Sequence, residues 1–251
     1  MSDILVVEDL RKNFGGIAAV DGATFSIEKG SITGLIGPNG AGKTTTFNLI
    51  TGFHRPDSGS IEFNGEEITG LKPHEISLKG LSRTFQITRE LKGMTVLENL
   101  MLAPQRQRGE NLLNVWLRRD VKSQEMEVRE RSEEMLEFLE LDHLADELAG
   151  NLSGGQRKLL ELGRVLMTDP DLILLDEPVA GVNPTLMNKL LDRIRNLRDQ
   201  GYTFCIVEHD IEVIMELSDT VIVMTQGKKL MEGSPEEVRN DERVIEAYLG
   251  G

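Results

Sequence analysis

The sequence predicts an α/β protein: a core on a parallel sheet, a partly antiparallel sheet beside it, and a charged helical lobe inserted between two halves of the core. Three observations lead there. The apolar run Ile32–Ile36 leads into Gly37-Pro38-Asn39-Gly40-Ala41-Gly42-Lys43-Thr44, which fits G-x-x-x-x-G-K-[ST], and Thr45–Thr51 continues as a helix. Leu172–Leu175, closed by Asp176-Glu177, is a short apolar run of the kind that a fully buried parallel strand gives. From Thr95 to Leu148 the pattern turns helical and strongly charged, with Met126, Val128, Met135, Leu136 and Leu139 set among glutamates and arginines of Ser123–Leu141.

The remaining elements follow in order. Ile4–Leu10 and Ala18–Ile27 read as strands, with turn chemistry at Asp21-Gly22 and at Glu28-Lys29-Gly30. Ser60–Phe63 and Glu66–Ile68 flank Asn64-Gly65, a strong hairpin signal. Pro73–Lys79 reads as a short helix and Leu81–Phe85 as a short strand ending at Gln86. Leu152-Ser153-Gly154-Gly155-Gln156 precedes a helix over Arg157–Met167, and Ser153 with the two glycines sits where that helix begins, a second ready-made anion site. Helix Asn188–Gln200, strand Thr203–Val207, helix Ile211–Leu217, strand Thr220–Thr225 and Lys229–Glu232 come next. A final helix starts near Ser234-Pro235, with proline at its first position.

The 251 residues suffice for one large domain or two small lobes. Apolar runs are far shorter than a membrane span, and no basic-then-apolar leader is visible at the N-terminus. The single cysteine, Cys205, falls in a strand-like apolar run and has no partner for an internal disulfide, which agrees with a reducing cytoplasm. The net charge of −14 argues against nonspecific binding to nucleic acid or anionic lipid. It fits either an acidic soluble surface or adaptation to high salt.

The chemistry centres on phosphate. Glycines let backbone N–H groups approach phosphate oxygens, and the helix opening near Gly42 adds its positive end. Lys43 then reaches the β- and γ-phosphates and Thr44 offers a hydroxyl to Mg²⁺. Asp176, at the carboxyl edge of a buried strand, can hold that ion, and Glu177 can polarise a water for in-line attack. Gln86 can orient the water or touch Mg²⁺, His209 can hydrogen-bond a γ-phosphate, and Phe14 can stack on adenine or simply anchor a loop. Each alone has a bland reading as a loop or strand-end residue. Their recurrence in one order, from phosphate loop to histidine, overrides it.

With these residues in view the chain resembles the ATP-binding subunit of ABC transporters over nearly its whole length. Leu152–Gln156 is an intact form of the signature motif of that family. The resemblance implies a RecA-like P-loop NTPase core, an antiparallel β-subdomain and an α-helical subdomain. Core and β-subdomain would take about 1–86 and 157–251, and the helical subdomain about 87–156. It also implies two subunits joined head to tail around two ATP, each phosphate loop facing the other subunit's Ser153-Gly154-Gly155-Gln156. Phe14 takes the adenine-stacking position, and Gly37, Pro38, Asn39, Gly40, Ala41, Gly42, Lys43, Thr44 and Thr45 the phosphate contacts. Gln86 is the Q-loop glutamine, Glu177 the catalytic base and His209 the switch histidine. Thr44, Gln86 and Asp176 are the Mg²⁺ contacts. Asn183 departs from the family's usual aspartate, so a charged contact across the dimer is lost or becomes neutral.

Ser82–Gln86, Met94–Asn99, Ala180–Pro184, Glu208–Asp210 and Ala247–Gly250 further resemble the LivG-like group of branched-chain amino-acid importers, which includes urea and amide importers. Lipopolysaccharide-export ATPases share the Ala-Gly-Val and Tyr-Leu-Gly elements but differ around Gln86. The expected protein is a peripheral ATPase on the cytoplasmic membrane face, working with permease subunits, a second cassette ATPase and, indirectly, a solute-binding protein. The rival reading, a soluble cassette ATPase acting on ribosomes or DNA, usually needs two cassettes in one chain or a long coiled-coil insert, and neither is seen.

Overall fold

A computed structural model describes residues 2–84, 90–105 and 118–249. The chain forms two compact units. The first comprises Met1–Gln86, Asp171–Ala180 and Ile194–Gly251, and the second Ile87–Pro170 and Gly181–Arg193.

The first unit holds both sheets. β1 (Asp3–Phe14) and β2 (Ile17–Glu28) form a hairpin turned at Gly15-Gly16, with β4 (Ser58–Phe63) and the short β5 (Glu66–Glu67) completing an antiparallel sheet of order β2-β1-β4-β5. Both strands outrun the expected 4–10 and 18–27 because the pairing absorbs irregularities. Asp21-Gly22 is not a turn: it lies inside β2, where the register shifts and Gly22 takes φ 85°. Asn64 and Gly65 have φ 51° and 77°, the positive pair that a two-residue hairpin loop requires.

The second sheet has the order β10-β9-β3-β8-β7-β6, built from β3 (Ile32–Ile36), β6 (Leu81–Arg83), β7 (Leu172–Asp176), β8 (Thr203–Val207), β9 (Thr220–Thr225) and β10 (Lys228–Gly233). All neighbours are parallel except β9 and β10. Every residue of β3, β7 and β8 is buried, which explains why their sequences are mostly apolar rather than alternating, with Thr33, Asp176 and Thr203 the polar exceptions. Leu35, Phe47, Leu49, Ile50, Leu172, Leu174, Cys205 and Val207 share one core with the β1–β2–β4 residues.

The helices of this unit include α1 (Lys43–Ile50), α2 (Pro73–Ser77) and α7 (Ile211–Leu217), the last packed on β3. The expected final helix is two: α8 (Pro235–Asn240), capped by Ser234, and α9 (Glu242–Leu249), separated at Asp241.

The second unit contains α3 (Val96–Met101), α4 (Arg118–Phe138) and α5 (Gly154–Leu166). Gly163 brings α5 close to the side chains of Leu100, Met135 and Leu139. A boundary at residue 156 would cut this helix within its first turn. α6 (Pro184–Asp199) begins four residues before the expected Asn188 because Asn183 Oδ1 accepts the Leu186 N–H at 3.0 Å and Pro184 suits the first helical position. No helix among the described residues is long and apolar enough to cross a membrane.

Candidate functional site

Parallel strands β3, β7, β8 and β6 all deliver their carboxyl ends to one edge of the sheet, where open α/β sheets bind ligands. β8 lies between β3 and β7, so its last residues come between the phosphate loop and Asp176-Glu177.

The loop after β3 is held tightly. Gly37, Gly40 and Gly42 all have positive φ. A Cβ at Gly37 would overlap the Met224 carbonyl, and one at Gly42 the Ala19 carbonyl, so packing as well as torsion demands glycine there. The Lys43 ammonium donates to the carbonyl oxygens of Gly37 (2.6 Å) and Pro38 (3.1 Å). Burial pushes its pKa below the ordinary lysine value, and the charges of Glu177 and Asp176 oppose that shift. Asn39 and Gly40 are exposed, Ala41 is buried, Thr44 is exposed and Thr45 half-buried. No side chain caps the start of α1 and no acidic residue lies in its first turn. A lysine and an uncapped helix start converging on a loop without side-chain bulk fit a phosphate group.

Asp176 ends β7 and is buried. Its Oδ2 accepts from Arg83 Nη2 at 2.6 Å, and its backbone N–H donates to Thr84 Oγ1 at 3.3 Å. Arg83 also donates to Asn48 Oδ1 at 2.7 Å and lies over the Phe47 ring, which ties α1 to the ends of β6 and β7. Glu177 turns the chain out of the sheet with φ 51°, a conformation seldom taken by a non-glycine residue. Its N–H donates to the Val207 carbonyl at 2.9 Å, and its Oε1 lies 2.9 Å from His209 Nε2. The carboxylate is largely covered and the imidazole half exposed. A carboxylate held there can take a proton from a water, and the adjacent imidazole can orient it.

Phe14 ends β1 as a 42% exposed residue, its ring edge-on to His54 at 5.2 Å and 5.6 Å from Lys12 Nζ. Gln86 lies outside the described residues. Ser153 and Gln156 belong to the second unit and are mutually engaged: Gln156 N–H donates to Ser153 Oγ at 3.4 Å, and Ser153 N–H to Gln156 Oε1 at 2.9 Å. This capping box satisfies donors at the start of α5, in contrast with α1. Gly154 is exposed, and Gly155 packs against Leu186 and Val182. Thus Lys43, Asp176, Glu177 and His209 meet at one sheet edge, while the Ser153 segment is part of another unit.

Sequence reasoning missed Arg83 and Glu208. Glu208 is 4% exposed and accepts the Val179 N–H at 2.8 Å. Its signal was present, an acid directly after a buried apolar strand, the same signal that singled out Asp176. Arg83 carried none, being one basic residue in a three-residue strand.

The fold and this edge define a P-loop ATPase built as a transporter cassette. The chain belongs to the ABC transporter family of ATP-binding proteins: the family model described as "ABC transporter" matches residues 20–180, and that described as "Branched-chain amino acid ATP-binding cassette transporter" matches residues 228–251. Among similar proteins, "Probable branched-chain amino acid transport ATP-binding protein LivG" of Archaeoglobus fulgidus is 47% identical over 98% of this chain and 95% of its own length. "High-affinity branched-chain amino acid transport ATP-binding protein BraF" of Pseudomonas aeruginosa is 42% identical over 98% of both chains. A crystal structure of a nucleotide-free ATP-binding cassette from an ABC transporter superposes with a TM-score of 0.86 at 42% identity over the full length of both chains. The chain has the ABC ATPase fold, binds ATP and is an ATP-hydrolysing subunit of a transport system.

Proposed function

We propose that this protein powers a membrane importer for branched-chain amino acids from the cytoplasmic face, as a peripheral subunit beside integral permease subunits and a second cassette ATPase, with a solute-binding protein upstream. The contact that carries the catalytic reading is His209 Nε2 to Glu177 Oε1 at 2.9 Å, on the sheet edge that also holds Lys43. The solute class is supported by the names of the full-length relatives.

In this reading Lys43, the Gly37–Gly42 backbone and the first turn of α1, including Thr44 and Thr45, take the phosphates, and Phe14 stacks on adenine. Thr44 and Asp176, with Gln86, would hold Mg²⁺. Hard oxygen donors few in number suit that ion, which takes its other ligands from phosphate and water. When bound it neutralises phosphate charge. Glu177 accepts a proton as the water oxygen bonds to the γ-phosphorus and the bond to the leaving ADP oxygen breaks. His209 holds Glu177 in place and hydrogen-bonds the transferred phosphoryl group. Ser153, Gly154, Gly155 and Gln156 close over the nucleotide of a second cassette subunit. The first unit then serves as nucleotide core and β-subdomain, and the second as the helical subdomain that signals to the permease.

Deleting the gene should abolish uptake of labelled leucine and isoleucine and leave urea uptake intact. Affinity capture from detergent-solubilised native membranes should recover two multi-span proteins and a second cassette ATPase. Normal leucine uptake in the deletion strain, or recovery of ribosomal or DNA-repair partners alone, would overturn the import assignment.

A further inference from the structure

Glu208 is a buried carboxylate that the hydrolysis scheme leaves unused. It follows β8 directly and is 4% exposed, while its neighbour His209 is exposed. Oε1 accepts the backbone N–H of Val179 at 2.8 Å, and Oε2 accepts the backbone N–H of His209 at 3.3 Å. Val179 lies two residues past Glu177, on the segment leaving β7. One carboxylate therefore spans the backbone behind Glu177 and the backbone of His209, the two residues whose side chains meet at 2.9 Å. The Glu177 N–H, bonded to the Val207 carbonyl at 2.9 Å, adds a backbone tie between the same two strand ends.

Burying a carboxylate is costly unless its oxygens are hydrogen-bonded. Backbone N–H bonds to a charged acceptor are roughly twice as strong as neutral ones. A carboxylate placed here thus adds a charged tie between two loops that the Glu177–Val207 backbone bond and the His209–Glu177 contact also join. An amide at this position can accept one N–H but turns its own NH₂ toward the other.

We propose that Glu208 is a positioning residue for ATP hydrolysis: it clamps the loops after β7 and β8 so that His209 and Glu177 stay in register. This rests on the roles assigned above to Glu177 and His209. It predicts a loss in turnover rather than in nucleotide binding, because displacing reacting groups by a fraction of their contact distance lowers the rate steeply without touching the phosphate loop.

The test is a double-mutant cycle on the purified protein, reading kcat, KM for ATP and thermal stability for Glu208→Gln, His209→Ala and the pair combined. Glu208→Gln should lower kcat by about tenfold or more and leave KM within about twofold. The double variant should be no slower than His209→Ala alone, since both changes act on one contact. Multiplying losses in the double variant, or a kcat near wild type for Glu208→Gln, would overturn the proposal while leaving the Glu177–His209 reading intact. A parallel loss of nucleotide affinity and thermal stability would overturn it too. Wild-type turnover in His209→Ala would overturn the reading of the pair and this proposal with it. Should Glu208→Gln fail to fold, Glu208→Asp, which keeps the charge but shortens the reach, takes its place in the cycle with the same expectations.

Discussion

The roles proposed for Lys43 and Glu177 differ, and substitution should separate them. Lys43 is a buried cation already engaged with loop carbonyls, so its ammonium is aimed along the loop before any phosphate arrives. Lys43→Ala removes that charge and should weaken ATP binding by about a hundredfold, read by titration with a fluorescent nucleotide. Glu177→Gln keeps the size and the neighbours of the side chain but cannot accept a proton. It should bind ATP with near-normal affinity and lose kcat by about two orders of magnitude or more in a phosphate-release assay. Unchanged nucleotide affinity in the first variant, or near-normal turnover in the second, would refute the assigned chemistry.

At the scale of the element, helix starts distinguish structural from ligand-binding termini. Asn183 caps α6 through Leu186 N–H at 3.0 Å. Asn183→Ala should cost about 1 kcal/mol of stability, and thermal melting should fall by about 2–4 °C. Asn183→Asp should keep the cap and melt within about a degree of wild type, which separates the capping function from any effect of the missing charge on turnover.

The C-terminal helix α9 bears on the phosphate loop in another way. Burial pushes the Tyr248 phenol up to about 12, and the Gly37 backbone N–H partly offsets this. A phenol whose folded pKa exceeds its ordinary 10.0 stays protonated in the native state while the unfolded chain ionises, so stability is full below pH 10 and is lost as pH rises toward 12. Thermal melts at about pH 9 and 11 should therefore show a smaller fall for Tyr248→Phe than for wild type. An equal fall would mean that this phenol is not held by the fold.

For the whole molecule, the net charge of −14 sets the balance between solubility and self-repulsion. The Debye length shrinks from about 10 Å at 0.1 M salt to about 3 Å at 1 M, so long-range repulsion fades while buried pairs such as Arg83–Asp176 persist. The melting temperature should rise by a few degrees between about 0.1 and 1 M KCl, and a fall would show that surface ion pairs outweigh the repulsion.

Much of this was written in the sequence because backbone physics is local. A glycine loop between a buried strand and a helix start leaves no side-chain bulk where backbone N–H groups converge, apolar runs closed by acids mark buried parallel strands, and Asn64-Gly65 permits little but a hairpin. Only the tertiary structure decided the strand order that puts β8 between β3 and β7, and with it the meeting of His209 and Glu177. It also decided that Gly22 is a bulge inside a long strand, that α5 belongs with α3 and α4, and that Arg83 and Glu208 have buried partners. These depend on residues far apart in the chain: Arg83 and Asp176 are 93 positions apart, and nothing in a local pattern records which distant strand will come alongside.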